Sequence, residues 1–432
     1  MKRREFLLRS GSTVLGSSLF FSCNHRLKQN SITPAKMYLQ KCLEILRKIQ
    51  KDELPKLSYI SERAAEIYKT GGKLFSRIHW SDNSEYDLWF ASRGNPGFLA
   101  QLARSDTEST IKGLQKGDFY ITNEINSTVQ DAKKRGVYVV GISLPWFPNR
   151  FTLPDQIITS TDGITVEEAA HIVLYSHVPL EDGIISFPEY PMVPLCPGSS
   201  PVQIIYYWML SAEIAYNLLS ENIHKFVSKA RDYIETIIMR IYEYEKQFEK
   251  IRKAARKMAK NIQAGGSFFI YDQTQSMVAE ACNRASGLMM TQPLDIEKVQ
   301  PNDNVLIAAE SPNSPNDLSL IKELAKKKAY VVTIGPTFDI ENKNPSLEKF
   351  SQIHLDNLSG ETSGVVTINQ DKPPICPAQK VSNIILHWTL SAQFISELIN
   401  IGLVPYVRMG DYLVGGTEYN MAMSRFFKRR GF

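Results

Sequence analysis

The clearest pattern of apolar and polar positions lies between Asn302 and Gly335. An apolar run at Val305–Ala309 predicts a buried strand, and a polar turn over Glu310–Asn316 follows it. Apolar residues then recur at helical spacing through Asp317–Lys328, before a second apolar run at Ala329–Ile334. Strand, helix and strand in this order predict a βαβ unit, whose right-handed crossover places the two strands parallel.

Similar patterns predict further helices and strands on both sides of this unit. Helical spacing extends over Thr33–Thr70, and the apolar stretch Pro201–Leu219 predicts a helix that is buried on all sides. A single long amphipathic helix is predicted over Phe226–Lys260. Short apolar runs beside turn residues predict strands at Lys73–Ile78, Lys116–Thr122, Val137–Ile142 and Asp155–Ser160.

The order of these elements repeats in the two halves of the chain. GGKLF corresponds to GGSFF, RGVYVVGIS to KKAYVVTIG, DQIITS to SQIHLDN, and LCPGSSPVQIIYYW to ICPAQKVSNIILHW. Corresponding segments lie about 180 to 196 residues apart, as expected if insertions and deletions fall in loops. We interpret this as an internal duplication. It predicts an α/β protein with two domains, residues 31–222 and 223–432, each an open, flavodoxin-like parallel sheet flanked by helices.

Residues 1–30 have the character of an export signal. A basic start precedes an apolar run that is too short to span a bilayer as a permanent helix. Arg3 and Arg4 resemble a twin-arginine signal, and LFFSC resembles a lipoprotein cleavage box with Cys23 as the lipid acceptor. We therefore expect an exported protein, either periplasmic or anchored on the outer face of a membrane. An amphipathic or disordered leader is the alternative.

Composition and charge exclude several classes of function. The 432 residues are enough for two domains with full cores, and 43% hydrophobic with 22% charged residues describes an ordinary folded protein. The formal charge of +5 is mild, and basic residues cluster only at the two ends, so we expect no nucleic-acid partner. Five cysteines without CxxC and seven scattered histidines predict no metal site, and no cofactor motif is visible.

The polar turns between strand and helix carry candidate ligand-binding residues. Hydroxyl and amide side chains beside the free N–H groups of a helix start form a site for an oxyanion or a sugar hydroxyl. Helix capping explains the same residue types equally well. The residues concerned are Ser311, Asn313 and Ser314 in the second half, and Asn126, Ser127 and Thr128 in the first.

The assembled segments resemble the SIS (sugar isomerase) domain, the phosphosugar-binding fold of phosphoheptose isomerases and related families. GGSFFI is similar to the first strand of that domain, MVAEACNRASGL to its first helix, and Val305–Asn316 to its phosphate-binding loop. The ending IGLVPYVRMGDYLVGGTEYN resembles the C-terminal segment of one branch of the family. The resemblance implies a tandem SIS protein that binds a sugar derivative, with the closer match in the second half.

The resemblance also implies where the ligand lies. Single SIS domains self-associate, so the two halves are expected to form an internal pseudo-dimer, with further homo-oligomers left open. The ligand is expected near that interface, at the carboxyl ends of the strands. Where the family has a glycine-rich first loop, this chain carries the candidate ligand-binding residues Gln273, Thr274, Gln275 and Ser276.

Departures from the family pattern weaken the implied phosphate site. Pro312 replaces a glycine of the phosphate loop and removes one N–H donor. Glu310 beside this loop, and Glu124 beside its first-half counterpart, repel a phosphate dianion. The expected ligand is therefore a sugar derivative that need not be an ordinary phosphosugar.

Two residues are candidates for catalysis. Glu280 matches the glutamate that phosphoheptose isomerases use as their base, and the alternative is a helix residue paired with Arg284. His387 either lines the pocket or packs in the core beside Trp388.

Repeated cysteines and an aromatic cluster also bear on the site. Cys196 and Cys376 occupy equivalent turns and indicate a structural role, with a disulfide between them as the alternative. Trp80, Trp89 and Phe90 are candidates for stacking on a sugar face or for burial.

These observations favour an exported protein that binds a sugar or phosphosugar derivative, with aldose–ketose isomerase activity as an extension of that function. The alternative is a catalytically inactive pseudoenzyme that serves as a scaffold or sensor for a co-exported partner. The two differ in whether Glu280 acts on a bound ligand.

Overall fold

The computed structural model describes residues 32–78, 94–102, 107–143, 149–152, 157–160, 163–220, 227–282, 284–337, 347–360 and 364–431. Residues 33–432 belong to one compact unit. The predicted export signal with Cys23, and the aromatic residues Trp80, Trp89 and Phe90, lie outside the described residues. Among the described helices, none combines the length and the apolar character that a membrane span requires.

The first half contains a parallel five-stranded sheet, two antiparallel strand pairs and the helices around them. Its elements are α1 (Pro34–Asp52), α2 (Leu54–Lys69), β1 (Leu74–Arg77), β2 (Ala100–Gln101), α3 (Thr107–Gly113), β3 (Phe119–Thr122), α4 (Ser127–Lys134), β4 (Tyr138–Ser143), β5 (Asn149–Thr152), β6 (Ile157–Ser160), α5 (Val166–Ala169), β7 (Ile172–Tyr175), β8 (Gly183–Ile185), β9 (Leu195–Pro197) and α6 (Ser199–Leu219). The sheet has the order β2-β1-β3-β4-β7. β5 pairs antiparallel with β6, and β8 with β9.

The second half contains a second parallel five-stranded sheet. Its elements are α7 (Lys229–Tyr244), α8 (Phe248–Gln263), β10 (Phe268–Tyr271), α9 (Ser276–Cys282), β11 (Thr291–Pro293), β12 (Asn304–Ala308), α10 (Pro315–Lys326), β13 (Tyr330–Gly335), α11 (Leu347–Phe350), β14 (Ile353–Asp356), α12 (Gln379–Asn400) and α13 (Gly416–Arg430). The sheet has the order β11-β10-β12-β13-β14. Position by position, this order corresponds to that of the first sheet.

Apolar side chains fill the space between the sheets and their helices. One large core draws on both halves and includes buried residues of α1, α6, α7 and α12. A smaller core accompanies each sheet separately, around Val129 and Val139 in the first half and around Ile321 and Val331 in the second. Parallel sheets need helices on their faces because both faces are apolar. The predicted α/β fold, with parallel sheets flanked by helices, is confirmed.

The βαβ unit predicted from the apolar pattern is also confirmed. β12 and β13 are parallel neighbours, with Val305 opposite Val331. α10 connects them and begins at Pro315, two residues before the predicted start. The earlier start follows from Ser314, whose side chain caps the helix, and from the preset backbone angle of the proline behind it.

The predicted correspondence between DQIITS and SQIHLDN is wrong. Ile157–Ser160 forms β6, which pairs with β5 outside the five-stranded sheet. The place equivalent to β14 is taken by β7, which lies parallel to β4 as β14 lies parallel to β13. Local apolar pattern shows that a strand exists, whereas its position in a sheet depends on a partner elsewhere in the chain.

The single helix predicted over Phe226–Lys260 is wrong as well. α7 and α8 are separated by a 3₁₀ turn at Glu245–Gln247. Gln247 Nε2 donates to the backbone oxygen of Asp356 at 2.8 Å, and Gln247 Oε1 accepts the Asp356 N–H at 2.8 Å. These bonds tie the corner to the end of β14, a tertiary contact that helical spacing does not reveal.

A pair of glycines leads into the first strand of each sheet for the same geometric reason in both halves. Gly71 and Gly265 have φ of 90° and 91°, a conformation that favours glycine. A Cβ atom on Gly72 would lie 2.2 Å from the oxygen of Gly117, and one on Gly266 would lie 2.7 Å from the oxygen of Asn302. The repeated GG motif thus reflects a repeated close approach of backbone.

The two halves pack through equivalent surfaces. α1 of the first half packs against α12 of the second, and α7 of the second packs against α6 of the first. The N–H of Cys196 donates to the oxygen of Ser286, and the N–H of Cys376 donates to the oxygen of Gly94, both at 2.9 Å. Contacts that are exchanged in both directions are typical of a two-fold interface.

Cys196 and Cys376 adopt matching turns. Their φ angles are 61° and 62°, in the left-handed region. Both side chains are buried and free, so the alternative of a disulfide between them is wrong. The turns instead orient two backbone N–H groups that form hydrogen bonds between the halves.

Candidate functional site

Two polar loops meet at the carboxyl ends of β10 and β12. Gln273 follows β10, Ser314 follows β12, and the two strands are parallel neighbours. Gln273 Nε2 donates to Ser314 Oγ at 2.6 Å and to Asp317 Oδ1 at 3.1 Å. The structure therefore brings together the two predicted loops of the second half, at the sheet edge where α/β proteins bind ligands.

A carboxylate of the chain itself caps the first turn of α9. Asp272 Oδ1 accepts the N–H groups of Met277 and Val278, and its Oδ2 accepts that of Ser276, each at 3.1 Å. The hydroxyls of Thr274 and Ser276 also donate to Oδ2, at 2.6 and 3.1 Å. The backbone donors at a helix start are a natural anion site. Here Asp272 occupies them.

The four predicted residues of this loop differ in their exposure to solvent. Thr274 and Ser276 are partly or fully buried and hold Asp272. Gln273 and Gln275 are exposed. Gln275 forms the turn at a φ of 60°, and its Nε2 donates to the oxygen of Asp272 at 3.2 Å. The exposed amides are thus the groups of this loop that can reach a ligand.

Acidic groups dominate the edge where the loops meet. Asp317 is only 1% exposed, and its Oδ2 has no hydrogen-bond partner among the described residues. Burial raises the pKa of Asp317, and the charges of Glu310 and Asp272 add to that rise. Lys380 supplies an opposing charge, with its Nζ 3.6 Å from Glu310 Oε1. Three carboxyl groups against one ammonium disfavour a phosphate dianion.

Ser311, Asn313 and Ser314 also organise their own loop. The N–H of Asn313 donates to Ser311 Oγ at 3.2 Å, and Ser314 Oγ accepts the N–H of Asp317 at 3.3 Å. Gln379, the first residue of α12, donates to the backbone oxygen of Glu310. Ser314 is therefore both the helix cap that the alternative predicted and the contact of Gln273.

The first-half candidates Asn126, Ser127 and Thr128 lie at the corresponding edge of the other sheet, after β3. Asn126 Oδ1 accepts the N–H of Val129 at 3.0 Å and caps α4. The neighbouring acid, Glu124, is buried in a two-point ion pair with Arg77, with N–O distances of 2.8 and 3.0 Å. The acid beside the first-half loop is thus neutralised within the fold, whereas Glu310 is exposed.

Glu280 is fully excluded from solvent, with 0% exposure. Its Oε2 accepts the hydroxyl of Ser200, and its Oε1 accepts the indole N–H of Trp388, both at 2.8 Å. Arg284 Nε lies 3.7 Å from Oε2, so the pairing that the sequence offered as the alternative is present. Burial raises the pKa of Glu280, while Arg284 and the two hydrogen bonds oppose that rise.

The charges around Glu280 extend across the contact between the halves. Arg284 Nη2 lies 2.8 Å from Asp182 Oδ2. Asp182 also accepts the N–H and the hydroxyl of Ser199, both at 3.0 Å. Asp182, Ser199 and Ser200 come from the first half, whereas Glu280, Arg284 and Trp388 come from the second. Buried charges need such partners because removal of one leaves another uncompensated.

His387 lies within α12 and is 2% exposed. Its ring packs against Trp388 in a T-shaped arrangement, with centroids 4.6 Å apart. Nδ1 has no hydrogen-bond partner among the described residues. Burial lowers the pKa of His387 to about 3, so the ring is neutral at ordinary pH.

Sequence reasoning missed three charged residues of the candidate site, Asp272, Asp317 and Lys380. Asp272 precedes a short helix and Asp317 is in the first turn of another, which are common places for helix-capping acids. The sequence therefore contained a local helix-capping signal for both aspartates. Nothing local marks Lys380, because it is distant in sequence from the loop and α12 brings it beside Glu310.

Comparisons with known proteins give a partial match and distant structural likenesses. Residues 234–396 match a family model described as "Domain of unknown function (DUF2529)", which covers less than half of the chain. No curated protein matches the sequence.

Several solved structures align with most of the chain. A candidate phosphosugar isomerase from Clostridium difficile 630 aligns with a TM-score of 0.48 at 11% identity, over 87% of this chain and 95% of that one. Another, from Silicibacter pomeroyi DSS-3, gives 0.44 at 11%, over 86% and 99%. The C-terminal domain of glucosamine-fructose-6-phosphate aminotransferase from Francisella tularensis gives 0.45 at 10%, over 84% and 96%. At such identities, the chemistry of the site has to be judged from this chain's own residues.

Replacing Glu280 with Gln should destabilise the fold. The amide presents N–H hydrogens to one of the two donors and removes the negative charge that faces Arg284, so we expect the free energy of unfolding to fall by about 3 kcal/mol. Chemical denaturation measures this loss. Glu44→Gln, at an exposed position of α1, is the matched control and should leave the value unchanged. An unchanged free energy of unfolding for Glu280→Gln would show that the charge of Glu280 does not stabilise the fold.

His387 should make the protein less stable in mild acid. An unfolded histidine binds its proton near pH 6.5, whereas the folded ring does so only near pH 3. Between these values the unfolded state holds the extra proton, so stability decreases as the pH falls. Wild-type protein should lose about 2 kcal/mol more than His387→Leu between pH 7 and pH 5. An equal loss of stability in the two proteins between pH 7 and pH 5 would contradict the lowered pKa of His387.

Proposed function

We propose that this chain binds a neutral or positively charged carbohydrate derivative at the edge formed by Gln273, Ser314 and Asp317. The contact of Gln273 with Ser314 and Asp317 carries the proposal, because it gathers amide, hydroxyl and carboxylate groups at the carboxyl ends of parallel strands. Such groups hydrogen-bond sugar hydroxyls. A carboxylate additionally pairs with the ammonium of an amino sugar.

The position of Asp272 supports a ligand without a phosphate. Its carboxylate already accepts the N–H groups of the first turn of α9. A phosphate at this place would have to displace Asp272 and would also face Glu310 and Asp317. Oδ2 of Asp317 lacks a hydrogen-bond partner among the described residues and favours the opposite charge, since a ligand N–H or O–H group would satisfy it.

The environment of Glu280 supports binding rather than turnover. An isomerase base must come within hydrogen-bond reach of a proton on the ligand. Both carboxylate oxygens of Glu280 are instead engaged by Ser200 and Trp388, without exposure to solvent. Isomerase activity remains the second candidate because burial raises the pKa of Glu280, as is common for catalytic acids and bases.

We also propose that residues 31–222 and 223–432 are two SIS-like domains that form an internal pseudo-dimer. The matching strand orders of the two sheets support this interpretation. The exchanged helix contacts, and the reciprocal bonds from Cys196 and Cys376, support it independently.

A thermal-shift series tests the binding proposal. We expect glucosamine to raise the melting temperature and glucosamine 6-phosphate to do so less or not at all, because the phosphate dianion meets Asp272, Glu310 and Asp317. Asp317→Asn and Gln273→Ala should remove the shift with glucosamine.

Asp52→Asn is the control for this series, since it removes an exposed acid of α1 and should keep the shift. A larger shift with the phosphate ester than with the free amino sugar would contradict the proposed charge preference. Absence of any shift with amino, neutral and phosphorylated sugars would count against carbohydrate binding at this edge.

We propose, finally, that the protein is exported and that Cys23 is lipidated. The proposal rests on Arg3, Arg4 and the LFFSC segment alone. In a bacterial host, Arg3→Lys/Arg4→Lys should leave uncleaved precursor in the cytoplasm, and Arg26→Lys should not. Mass spectrometry of the membrane fraction should show acylated Cys23. Export that is insensitive to the twin-arginine change would refute the signal assignment.

A further inference from the structure

A cavity lies beside the edge strand β14 of the second sheet. Its volume is about 750 Å³, and it is formed by α8 together with the residues that lead into β14. Ser351 and Gln352 precede β14, and His354 is its second residue. The cavity therefore extends along β14 and α8, whereas the candidate sugar site lies at the carboxyl ends of β10 and β12.

The lining of this cavity is strongly basic. Six lysine and arginine side chains face two glutamates. Three of the basic groups have acidic partners: Lys250 pairs with Glu348 at 3.3 Å, Arg252 with Glu249 at 2.6 Å and Arg256 with Glu397 at 3.3 Å.

The remaining lysines of the cavity form a row along α8. Lys253, Lys257 and Lys260 are exposed and form no ion pair with the residues that the structure describes. Their spacing of four and three residues places them on one face of the helix, over a length of about 10 Å. Together they present three uncompensated positive charges to whatever enters the cavity.

A buried histidine adds a neutral acceptor to this basic wall. Ser351 Oγ donates to the oxygen of Leu347 at 2.9 Å, and Thr333 Oγ1 donates to Ser351 Oγ at 3.0 Å. Thr333 has then used its only proton, so its 2.8 Å contact with His354 Nδ1 requires that the ring nitrogen be the donor. The proton of the neutral ring is therefore on Nδ1, and Nε2 carries a lone pair.

That lone pair has no partner within the described fold. His354 is 3% exposed, and its Nε2 lacks a hydrogen-bond partner among the described residues. Nε2 is on the side of the ring turned away from Thr333, and the residue lines the cavity. Burial lowers the pKa of His354 to about 4, so the nitrogen stays unprotonated at neutral pH. A hydroxyl or N–H group of a ligand is what would satisfy it.

We propose that this cavity binds an acidic oligosaccharide. Its carboxylate or sulfate groups pair with Lys253, Lys257 and Lys260, and one sugar hydroxyl donates to His354 Nε2. Carboxylate and sulfate groups alone offer only acceptors, so the histidine requires the hydroxyl that a sugar supplies. The described lining residues include no Phe, Tyr or Trp on which nucleobases stack, which disfavours single-stranded nucleic acid.

Calorimetric titration of the full chain tests the charge requirement. Tetragalacturonate should bind, and the uncharged galactose tetramer should bind much more weakly. The triple variant Lys253→Gln/Lys257→Gln/Lys260→Gln should weaken tetragalacturonate binding by about tenfold, since exposed ion pairs contribute modestly but together. The matched control is Lys41→Gln/Lys48→Gln/Lys51→Gln, which removes three exposed lysines of α1 outside the cavity and should bind like wild type.

Two variants of His354 test the hydroxyl contact. The amide of His354→Asn can still donate to Thr333 but offers nothing in place of Nε2, so tetragalacturonate should bind more weakly while tripolyphosphate binding is unchanged. His354→Gln places an amide oxygen near the position of Nε2 and should restore part of the affinity. Melting temperatures identify any His354 variant that fails to fold. If both fail, the lysine variants, which change only exposed residues, decide the outcome.

Three results would overturn the proposal. Failure of wild-type protein to bind tetragalacturonate removes its basis. Equal sensitivity of tetragalacturonate and tripolyphosphate to every variant would identify a general polyanion surface, and tighter binding of single-stranded RNA would identify a nucleic-acid groove. Asp317→Asn and Gln273→Ala should leave tetragalacturonate binding intact, so failure of the other proposed site does not affect this test.

Discussion

A carboxylate shut off from water links the two halves of this protein. Burying the charge of Glu280 is costly unless donors surround it, and those donors come from both halves: Ser200 from the first, Trp388 and Arg284 from the second. The same helix that carries Glu280 starts at Ser276, directly after the loop that holds Gln273. The contact between the halves and the loop of the candidate site are therefore connected through one short helix.

Equivalent backbones in the two halves carry different charges. Ser200 and Lys380 occupy matching positions at the start of α6 and α12, yet Ser200 donates to the buried Glu280 while Lys380 lies beside the exposed Glu310. Glu124 is buried against Arg77, whereas no arginine takes that role beside Glu310 among its described contacts. At these equivalent places the first half thus uses its acid for packing, whereas the second half leaves Glu310 exposed at the sheet edge.

Two separate regions of the second sheet have opposite electrostatic character. Acidic groups gather at the carboxyl ends of β10 and β12, and the row Lys253–Lys260 lines the cavity beside β14. A formal net charge of +5 averages over both regions and reveals neither. Separation of charge on this scale gives one sheet two regions of opposite electrostatic field, because local fields depend on the arrangement of charges and not on their sum.

The amino-acid sequence by itself determined the class of the fold and the polar loops that meet at the edge of the second sheet. Apolar periodicity, the glycine pairs and the repeated turns are local signals, and the strands, helices and glycine geometry followed them. The partner of β4 and the corner at Gln247 were decided only by tertiary structure. Each depends on a hydrogen bond or a strand pairing that local periodicity does not encode. Glu280 shows the same limit: its place in the helix could be read from the sequence, but its burial between two halves arises only when distant segments pack.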